Sequence, residues 1–261
     1  MKQHNTVLET RKLQIGYSQK GKHLIIGDGI DIQLQKGQLI TLVGANGIGK
    51  STLLRTITAI QKPLQGEVLL HNRNIRDFNT LQLAQEMSIV LTEQLPPSNL
   101  TVYELVALGR QPYTNWLGKL SDLDIQKVQE ALQLTKIERL AEKKHHEVSD
   151  GQLQNVLIAR ALAQDTPLII LDEPTTHLDL LHKAALFRLL KKLAAEAGKC
   201  ILFSTHDIEL AIQMSDSMII MHDGKAIQGT PQECIADGSF DRIFKEGNIS
   251  FDPLRGMFVI A

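Results

Sequence analysis

The sequence has 261 residues, of which 43% are hydrophobic, and its 28 basic and 29 acidic residues give a formal net charge of -1. This length suits one large core, or a core with a smaller lobe, and the balanced charge excludes a general electrostatic attraction to nucleic acid or anionic membrane. Cys200 and Cys234 have no metal-ligand spacing, and no segment approaches the ~20 apolar residues that cross a bilayer, so we expect a cytoplasmic protein without a nucleic-acid partner.

The first part of the chain alternates apolar and polar residues, as in VLETRKLQIGY, GIDIQLQKGQ and then PLQGEVLLHNRNI. This period of two predicts antiparallel strands with one buried face. Runs rich in isoleucine, valine and leucine predict buried core strands, and these are QLITLVG, SIVL, PLIILD, KCILFS and DSMIIMHDG. Mainly helical patterns occupy about residues 95 to 165.

The whole chain is therefore predicted to form one α/β domain. Residues of about 1–94 and 166–261 would form a mixed core sheet and an antiparallel β lobe, and about 95–165 would form an inserted helical lobe. HDGK at 222–225 predicts a hairpin turn, and the tail after residue 230 predicts a helix followed by a short strand pair.

A glycine-rich loop joins the strand QLITLVG to the start of a helix, and residues 44–51 fit the pattern G-x-x-x-x-G-K-[ST]. Glycines let backbone N–H groups face phosphate oxygens, and the helix N-terminus adds its positive dipole end. Lys50 would reach the β- and γ-phosphates of ATP, and Ser51 would hold Mg²⁺. A turn that binds nothing would explain the glycines but not this lysine and hydroxyl. The predicted ATP-binding residues here are Gly44, Ala45, Asn46, Gly47, Ile48, Gly49, Lys50, Ser51 and Thr52.

Two adjacent acids follow the apolar run LIIL, which brings Asp172 and Glu173 to the end of a buried strand, where ligands gather in open α/β sheets. Asp172 would bind Mg²⁺ and Glu173 would activate the attacking water. The alternative is that one acid caps the next turn. His206 ends the following run, ILFSTHD, and could contact the γ-phosphate, although a histidine there could equally be a cap or a surface residue.

The order of the remaining motifs resembles the ABC ATPase family across essentially the whole chain. Ser149, Asp150, Gly151 and Gln152 precede the acids, Asp172 being 172 - 149 = 23 positions after Ser149, and Leu178–Asp179 and His206 follow. The resemblance implies a P-loop NTPase of the ATP-binding-cassette type with these four residues as its signature, Asp179 in its D-loop, His206 as its switch histidine and Tyr17 stacked on adenine. It also implies that two copies pair head to tail, so that the signature of one contacts the ATP of the other.

The segment LTVYELVALGRQPY followed by WLG resembles importer cassettes that serve iron–siderophore, haem and cobalamin permeases. This resemblance implies transmembrane permease subunits as partners, a solute-binding protein as an indirect partner, and a peripheral position on the inner face of the cell membrane. Phe78, Tyr103, Tyr113 and Trp116 could anchor the permease or simply pack in the lobe, and packing is favoured for Tyr103. The alternatives are a cassette for another solute class, a soluble ABC ATPase that does not transport, and a binding module without catalysis.

Two positions depart from the family pattern. The Q-loop position falls on Thr92, with Gln94 two residues later, and either could take the contact near Mg²⁺. Asp150 replaces a signature glycine, and aspartate is among the less penalised residues where φ is positive. We expect Asp150 to cap its own helix and point away from the nucleotide, leaving the phosphate contact to Ser149 and the Gly151 N–H group. His145 and His146 are interpreted as residues of a solvated surface, not as metal ligands.

Overall fold

The computed structural model describes residues 5–19, 22–91, 98–176, 178–243, 249–253 and 255–260. The chain divides into two compact units, Met1–Phe78 with Leu190–Ala261, and Asn79–Leu189. The predicted helical lobe of residues 95–165 lies within the second unit. No helix formed by these described residues is long and apolar enough to span a membrane.

The first unit contains an antiparallel sheet, a mixed sheet and a C-terminal hairpin. Its elements are β1 (Thr6–Gln19), β2 (Lys22–Ile30), β3 (Gln33–Gln35), β4 (Leu39–Gly44), α1 (Lys50–Ile57), β5 (Gln65–Leu70), β6 (Arg73–Asn74), β9 (Cys200–Ser204), α7 (Ile208–Met214), β10 (Ser217–His222), β11 (Lys225–Gly229), α8 (Pro231–Ala236), β12 (Ile249–Asp252) and β13 (Met257–Ile260). The second unit contains α2 (Thr80–Glu86), β7 (Met87–Val90), α3 (Val102–Ala107), α4 (Asp122–Leu134), α5 (Asp150–Ala163) and β8 (Leu168–Leu171), and α6 (Leu180–Ala197) runs across the boundary.

The antiparallel sheet of the first unit has the order β2-β1-β5-β6, with β3 also paired to β1. The alternating patterns predict β1, β3, β5 and β6, whereas most of β2 lies outside them. Leu13 and Ile15 in β1 are fully buried while Gln14 between them is not, because successive side chains point to opposite faces of the sheet. The β lobe is therefore confirmed.

The mixed sheet of the first unit contains β4 between the parallel neighbours β10 and β9, and β11 pairs antiparallel with β10. All residues of β4 and β9 are buried, as their continuous apolar sequence predicts. The β10–β11 hairpin turns at Asp223 and Gly224, whose φ angles are 43° and 70°. The two positive φ angles explain the HDGK sequence, and the predicted hairpin turn is confirmed.

The C-terminal part of the first unit forms a helix, α8, and the hairpin of β12 and β13. The ring of Phe251 stacks on that of Phe240 at a centroid distance of 4.7 Å, and Phe258 meets Phe251 edge-on at 5.2 Å. Phe240 and Phe251 also belong to a buried apolar cluster with Val43 and Ile220, so this packing holds the tail on the core. The helix and strand pair predicted there are confirmed.

The second unit combines the parallel pair β7–β8 with helices α2 to α5 and the first part of α6. Helices α3, α4 and α5 share one apolar core, formed by Val102, Leu105, Val106, Val128, Ala131, Leu132, Val156, Ala159 and Ala163 together with Ile137 and Leu140. Thr101, Ser121 and Ser149 each cap one of these helices through a reciprocal capping box.

Candidate nucleotide site

The glycine-rich loop begins where β4 ends and closes where α1 begins. A Cβ atom on Gly44 would lie 2.7 Å from the carbonyl oxygen of Met221, and one on Gly49, whose φ is 110°, would lie 2.3 Å from Cγ2 of Ile26. No side chain fits at either position, so the glycines are required by close packing as well as by backbone conformation.

Helix α1 presents its first turn without a competing anion. Gly49 is its N-cap and has no side chain to cap it, and the first turn contains no acidic residue. The leading N–H groups and the positive dipole end therefore face the loop, an arrangement that suits a phosphate. Lys50 is buried, and its Nζ donates to the carbonyl oxygens of Gly44 and Ala45 at 2.9 and 3.3 Å. The Lys50 ammonium is thus held inside the loop that it would share with a phosphate.

Tyr17 contacts the beginning of α1. Its hydroxyl lies 3.2 Å from Oγ1 of Thr52, and its side chain is partly exposed. Tyr17 also lines a surface pocket of about 570 Å³ together with Arg55 and Gln61. An exposed aromatic face close to the phosphate loop is what stacking on a nucleotide base requires.

The register of the mixed sheet brings His206 to the edge at which the glycine-rich loop begins. Leu42 of β4 is opposite Ser204 of β9, and the Thr205 N–H donates to the Leu42 carbonyl at 3.2 Å. Two residues beyond this pair are Gly44 and His206. The carboxyl ends of two parallel strands thus supply both the loop and the histidine, and this edge is where ligands bind in open α/β sheets.

The two acids lie in the second unit, directly after the buried strand β8. Asp172 is 2% exposed, and its N–H donates to the carbonyl of Val90, the last residue of β7, at 2.7 Å. Glu173 has a φ of 50°, which is rare for a residue with a side chain and tends to occur at functional sites. Thr92 and Gln94, the two candidates for the Q-loop position, lie outside the described residues.

The signature segment begins α5, and its cap differs from the one we expected. Ser149 is the N-cap, because its Oγ accepts the Gln152 N–H at 3.4 Å and Oε1 of Gln152 accepts the Ser149 N–H at 3.1 Å. Asp150 is the first residue of the helix and does not have a positive φ. The prediction that Asp150 caps the helix is therefore wrong, because the serine before it already occupies that position. The carboxylate of Asp150 makes no hydrogen bond or ion pair with any residue that the structure describes.

Asp179 caps the beginning of α6. Its Oδ1 accepts from the backbone N–H of His182 at 2.9 Å and lies 2.8 Å from Nδ1 of the same residue. These hydrogen bonds to His182, from the backbone first and then the ring, hold the pKa of the Asp179 carboxyl below its ordinary value. The side chain is nonetheless exposed and available to a partner.

Two interactions of the second unit are not predicted from the sequence. Nε of Arg110 donates to Oδ1 of Asp124 at 2.8 Å, and its Nη1 donates to the Ala163 carbonyl at the end of α5 at 2.8 Å. His145 is buried, and its Nε2 lies 2.9 Å from Oγ of Ser98. The interpretation of His145 as part of a solvated surface is wrong, because charged neighbours in sequence say nothing of a partner 47 residues away. A buried polar contact of this kind has no local sequence signal.

The candidate permease anchors differ in exposure. Trp116 is 91% exposed, whereas Tyr103 packs against the helical core of the second unit. The guanidinium of Arg110 covers the ring of Tyr113 at 4.0 Å, and that of Arg73 covers Phe78 at 4.5 Å. Trp116 is thus the candidate least engaged in packing.

Both cysteines are buried and free. Burial raises the pKa of the Cys200 thiol to about 12 and is the main cause that raises the pKa of Cys234 to about 11. Both thiols are therefore packed as small apolar side chains of the core.

Comparison with known proteins shows which family this sequence resembles. The sequence profile described as ABC transporter matches residues 28–176. The achromobactin transport ATP-binding protein of Dickeya dadantii is 40% identical over 240 residues, covering 92% of this chain and 88% of that protein. The petrobactin import ATP-binding protein of Bacillus anthracis is 39% identical over 251 residues, covering 95% and 90%.

Solved structures agree with the sequence relatives. A metal-chelate type ABC transporter in an inward-facing conformation matches with a TM-score of 0.79 at 25% identity, covering 98% of this chain and 96% of that one. A dimeric bacterial ABC transporter cassette matches with a TM-score of 0.76 at 29% identity, covering 86% and 98%. The fold is that of an ATP-binding cassette, as predicted. The chain belongs to the ABC transporter family.

Proposed function

We propose that this chain is the ATP-hydrolysing subunit of a membrane importer for an iron–siderophore or similar metal chelate. The observation that supports it most is the loop between β4 and α1, where Lys50 is buried beside an uncapped helix N-terminus. The named relatives support the transport role, because they are ATP-binding proteins of achromobactin and petrobactin systems.

The residues present fit ATP and Mg²⁺ by their chemistry. The loop N–H groups and Lys50 would bind the phosphates, and Tyr17 would stack on the base. The Ser51 hydroxyl and the Asp172 carboxylate are hard oxygen donors, which Mg²⁺ prefers. When bound there, Mg²⁺ would neutralise charge on the phosphate oxygens.

In the proposed reaction, water attacks the γ-phosphorus of ATP and the bond to the β-phosphate oxygen breaks. Glu173 would accept a proton from the attacking water as general base, and His206 would contact the γ-phosphate. The backbone of Glu173, held in the left-handed region, supports this role because strained conformations persist where function requires them.

We further propose that two copies of the chain pair head to tail. Ser149 and the first-turn N–H groups of α5 would then bind the γ-phosphate held by the loop of the other copy. The dimeric form of a related cassette supports this arrangement. ATP would join the copies and hydrolysis would release them, which gives transmembrane permease subunits an alternating mechanical input. The permease, in turn, would receive the chelate from a solute-binding protein and would hold the cassette on the inner face of the membrane.

A Glu173→Gln variant tests the catalytic assignment. The amide cannot accept the proton, so we expect hydrolysis to fall about 10²-fold or more while ATP still binds. Size-exclusion chromatography with ATP should then show a stable dimer. Glu67→Gln, at an exposed position of β5, is the charge-matched control and should hydrolyse ATP like the wild type. Full activity of Glu173→Gln would remove Glu173 from the mechanism.

Co-purification from membranes tests the transport assignment. We expect permease subunits to accompany the chain, and ferric siderophores to stimulate the ATPase of the reconstituted complex more than haem or cobalamin. Recovery of the chain without any membrane protein would favour a soluble ABC ATPase instead.

A further inference from the structure

The segment that precedes the signature pairs through backbone hydrogen bonds with the segment that leads into α3. Residues 98–103 run antiparallel to residues 141–145, with a bridge between Thr101 and Lys144. The connecting backbone hydrogen bonds are Val102 N–H to Lys143 O at 2.8 Å, Tyr103 N–H to Ala141 O at 2.9 Å and His145 N–H to Leu100 O at 3.1 Å. All of these residues belong to the second unit.

The side chain of His145 makes a further contact between the two paired segments. It is 6% exposed, and its Nε2 lies 3.2 Å from the Ser98 backbone nitrogen and 2.9 Å from the Ser98 Oγ. A backbone N–H group can only donate, so Nε2 must present its lone pair to Ser98. An apolar or shorter side chain at this position would leave the partly buried Ser98 N–H group without its acceptor.

His145 also begins a short 3-10 turn, His145–Glu147, which leads directly to the signature. Oε2 of Glu147 accepts the Lys144 N–H at 2.8 Å, which closes the turn on itself. Val148 is then extended, and Ser149 caps α5. The path from His145 to Ser149 is therefore short and internally bonded, so displacement of His145 would displace the N-terminus of α5.

We infer that His145 is a positioning residue for the signature. Through Ser98 it holds the turn so that the Ser149 hydroxyl and the leading N–H groups of α5 are preorganised for the nucleotide of the partner copy. This inference rests on the proposed head-to-tail dimer. Preorganised donors bind an anion more tightly because no ordering is needed at the moment of binding.

A purely structural His145 would behave differently. Its loss would lower the melting temperature but leave ATP-driven pairing of folded chains unchanged. A positioning residue instead changes the ATP concentration needed for pairing, while the affinity of the single chain for ATP stays the same, because the glycine-rich loop lies in the other unit of the chain.

The test uses two amide variants of the full chain carrying Glu173→Gln. The carbonyl of a glutamine reaches about as far as Nε2 and can accept the Ser98 N–H, whereas that of an asparagine reaches only about as far as Nδ1. We expect His145→Asn to raise the ATP concentration for half-maximal dimer formation about three- to tenfold, the effect of one lost hydrogen bond, and His145→Gln to stay within about twofold. Light scattering after size exclusion measures the dimer, and equilibrium dialysis at low protein concentration measures ATP binding to single chains.

Unchanged pairing of folded His145→Asn, or equal effects of both amides, would overturn the inference. If His145→Asn does not fold, Ser98→Ala replaces it in the test. This variant removes only the hydroxyl and should raise the ATP concentration for half-maximal dimer formation by a smaller factor. An unchanged ATP concentration would contradict the inference. Failure of the parent Glu173→Gln chain to pair with ATP would refute the proposed function itself, which distinguishes the two.

Discussion

The buried ion pair of Arg110 and Asp124 lies at the C-terminal end of α5. Arg110 is 4% exposed and Asp124 is 3% exposed, and each has further partners: Arg110 the Ala163 carbonyl, and Asp124 the Ser121 hydroxyl at 2.6 Å. A buried ion pair contributes little net stability compared with apolar residues, but loss of one partner leaves the other charge uncompensated.

We therefore predict that Asp124→Asn lowers the free energy of unfolding by about 3–5 kcal/mol near neutral pH, because it leaves the Arg110 charge buried without a counter-ion. The double variant Arg110→Met with Asp124→Leu should recover most of this loss, since it removes both charges. Urea unfolding followed by circular dichroism measures both. Equal stability of the single and double variants would show that the pair does not act as a unit.

The same pair predicts a pH dependence. Burial by itself would raise the pKa of Asp124, but hydrogen bonds from Ser121 and Arg110 and the Arg110 charge outweigh it and hold the pKa below its ordinary value. A lowered pKa gives stability that is present above the ordinary pKa and is lost as pH falls through the lowered one. The difference between wild type and Asp124→Asn should thus be constant from about pH 5 to 8 and shrink below about pH 4. A difference that persists undiminished at pH 3 would contradict this assignment.

Helix ends explain why Ser149 and Asp150 have separate tasks. Ser149 satisfies the Gln152 N–H, and Asp150 adds only a negative charge near the positive end of α5. We predict that Asp150→Gly costs about 0.5–1 kcal/mol through lost dipole interaction and glycine flexibility. Its ATP hydrolysis rate should stay close to that of the wild type, because the variant keeps Ser149 and the first-turn N–H groups of α5, which would contact the phosphate.

Chemical denaturation and a coupled ATPase assay measure this variant beside Gln154→Gly, a matched glycine substitution one turn further along α5 that removes no charge. A large rise in hydrolysis for Asp150→Gly alone would mean that the carboxylate weakens closure by repelling the γ-phosphate.

The sequence predicted those elements whose signal is local. Period-two alternation predicts β1 and β5, and continuous apolar runs predict β4, β8 and β9. The dipeptide Asp223–Gly224 predicts the hairpin turn. Each of these patterns follows from the geometry of the element itself. The glycine-rich loop is likewise predicted from its local sequence pattern. The contacts of His145 and Arg110 are not, since the partners Ser98 and Asp124 lie 47 and 14 residues away in the sequence and only the folded chain brings them together.

Asp150 illustrates a second limit. Its sequence position allowed either a positive φ or a helix cap, and the choice depended on whether Ser149 or Asp150 began the helix, a difference of one residue. Helix boundaries are uncertain by about that much in any reading of sequence, because several polar residues near an N-terminus can serve as cap.

At the level of the assembly, the proposed dimer places each nucleotide between a loop of one copy and a signature of the other. A complementation experiment distinguishes this arrangement from one in which a chain completes its own site. Lys50→Ala removes the phosphate ligand of the loop. Ser149→Asp keeps a good helix cap but sets a negative charge before the γ-phosphate, at a cost of about 4 kcal/mol for unit charges ~4 Å apart at a dielectric near 20.

We predict that heterodimers of a Lys50→Ala chain with a Ser149→Asp chain retain one intact site, because the normal loop of the second chain meets the normal signature of the first. Heterodimers of the double variant with wild type contain the same mutations but no intact site. Differently tagged chains allow both heterodimers to be purified in the Glu173→Gln background, and bound radioactive ATP per dimer is then counted. We expect about one ATP held tightly in the first heterodimer and none in the second. The reverse pattern would show that each chain completes its own site.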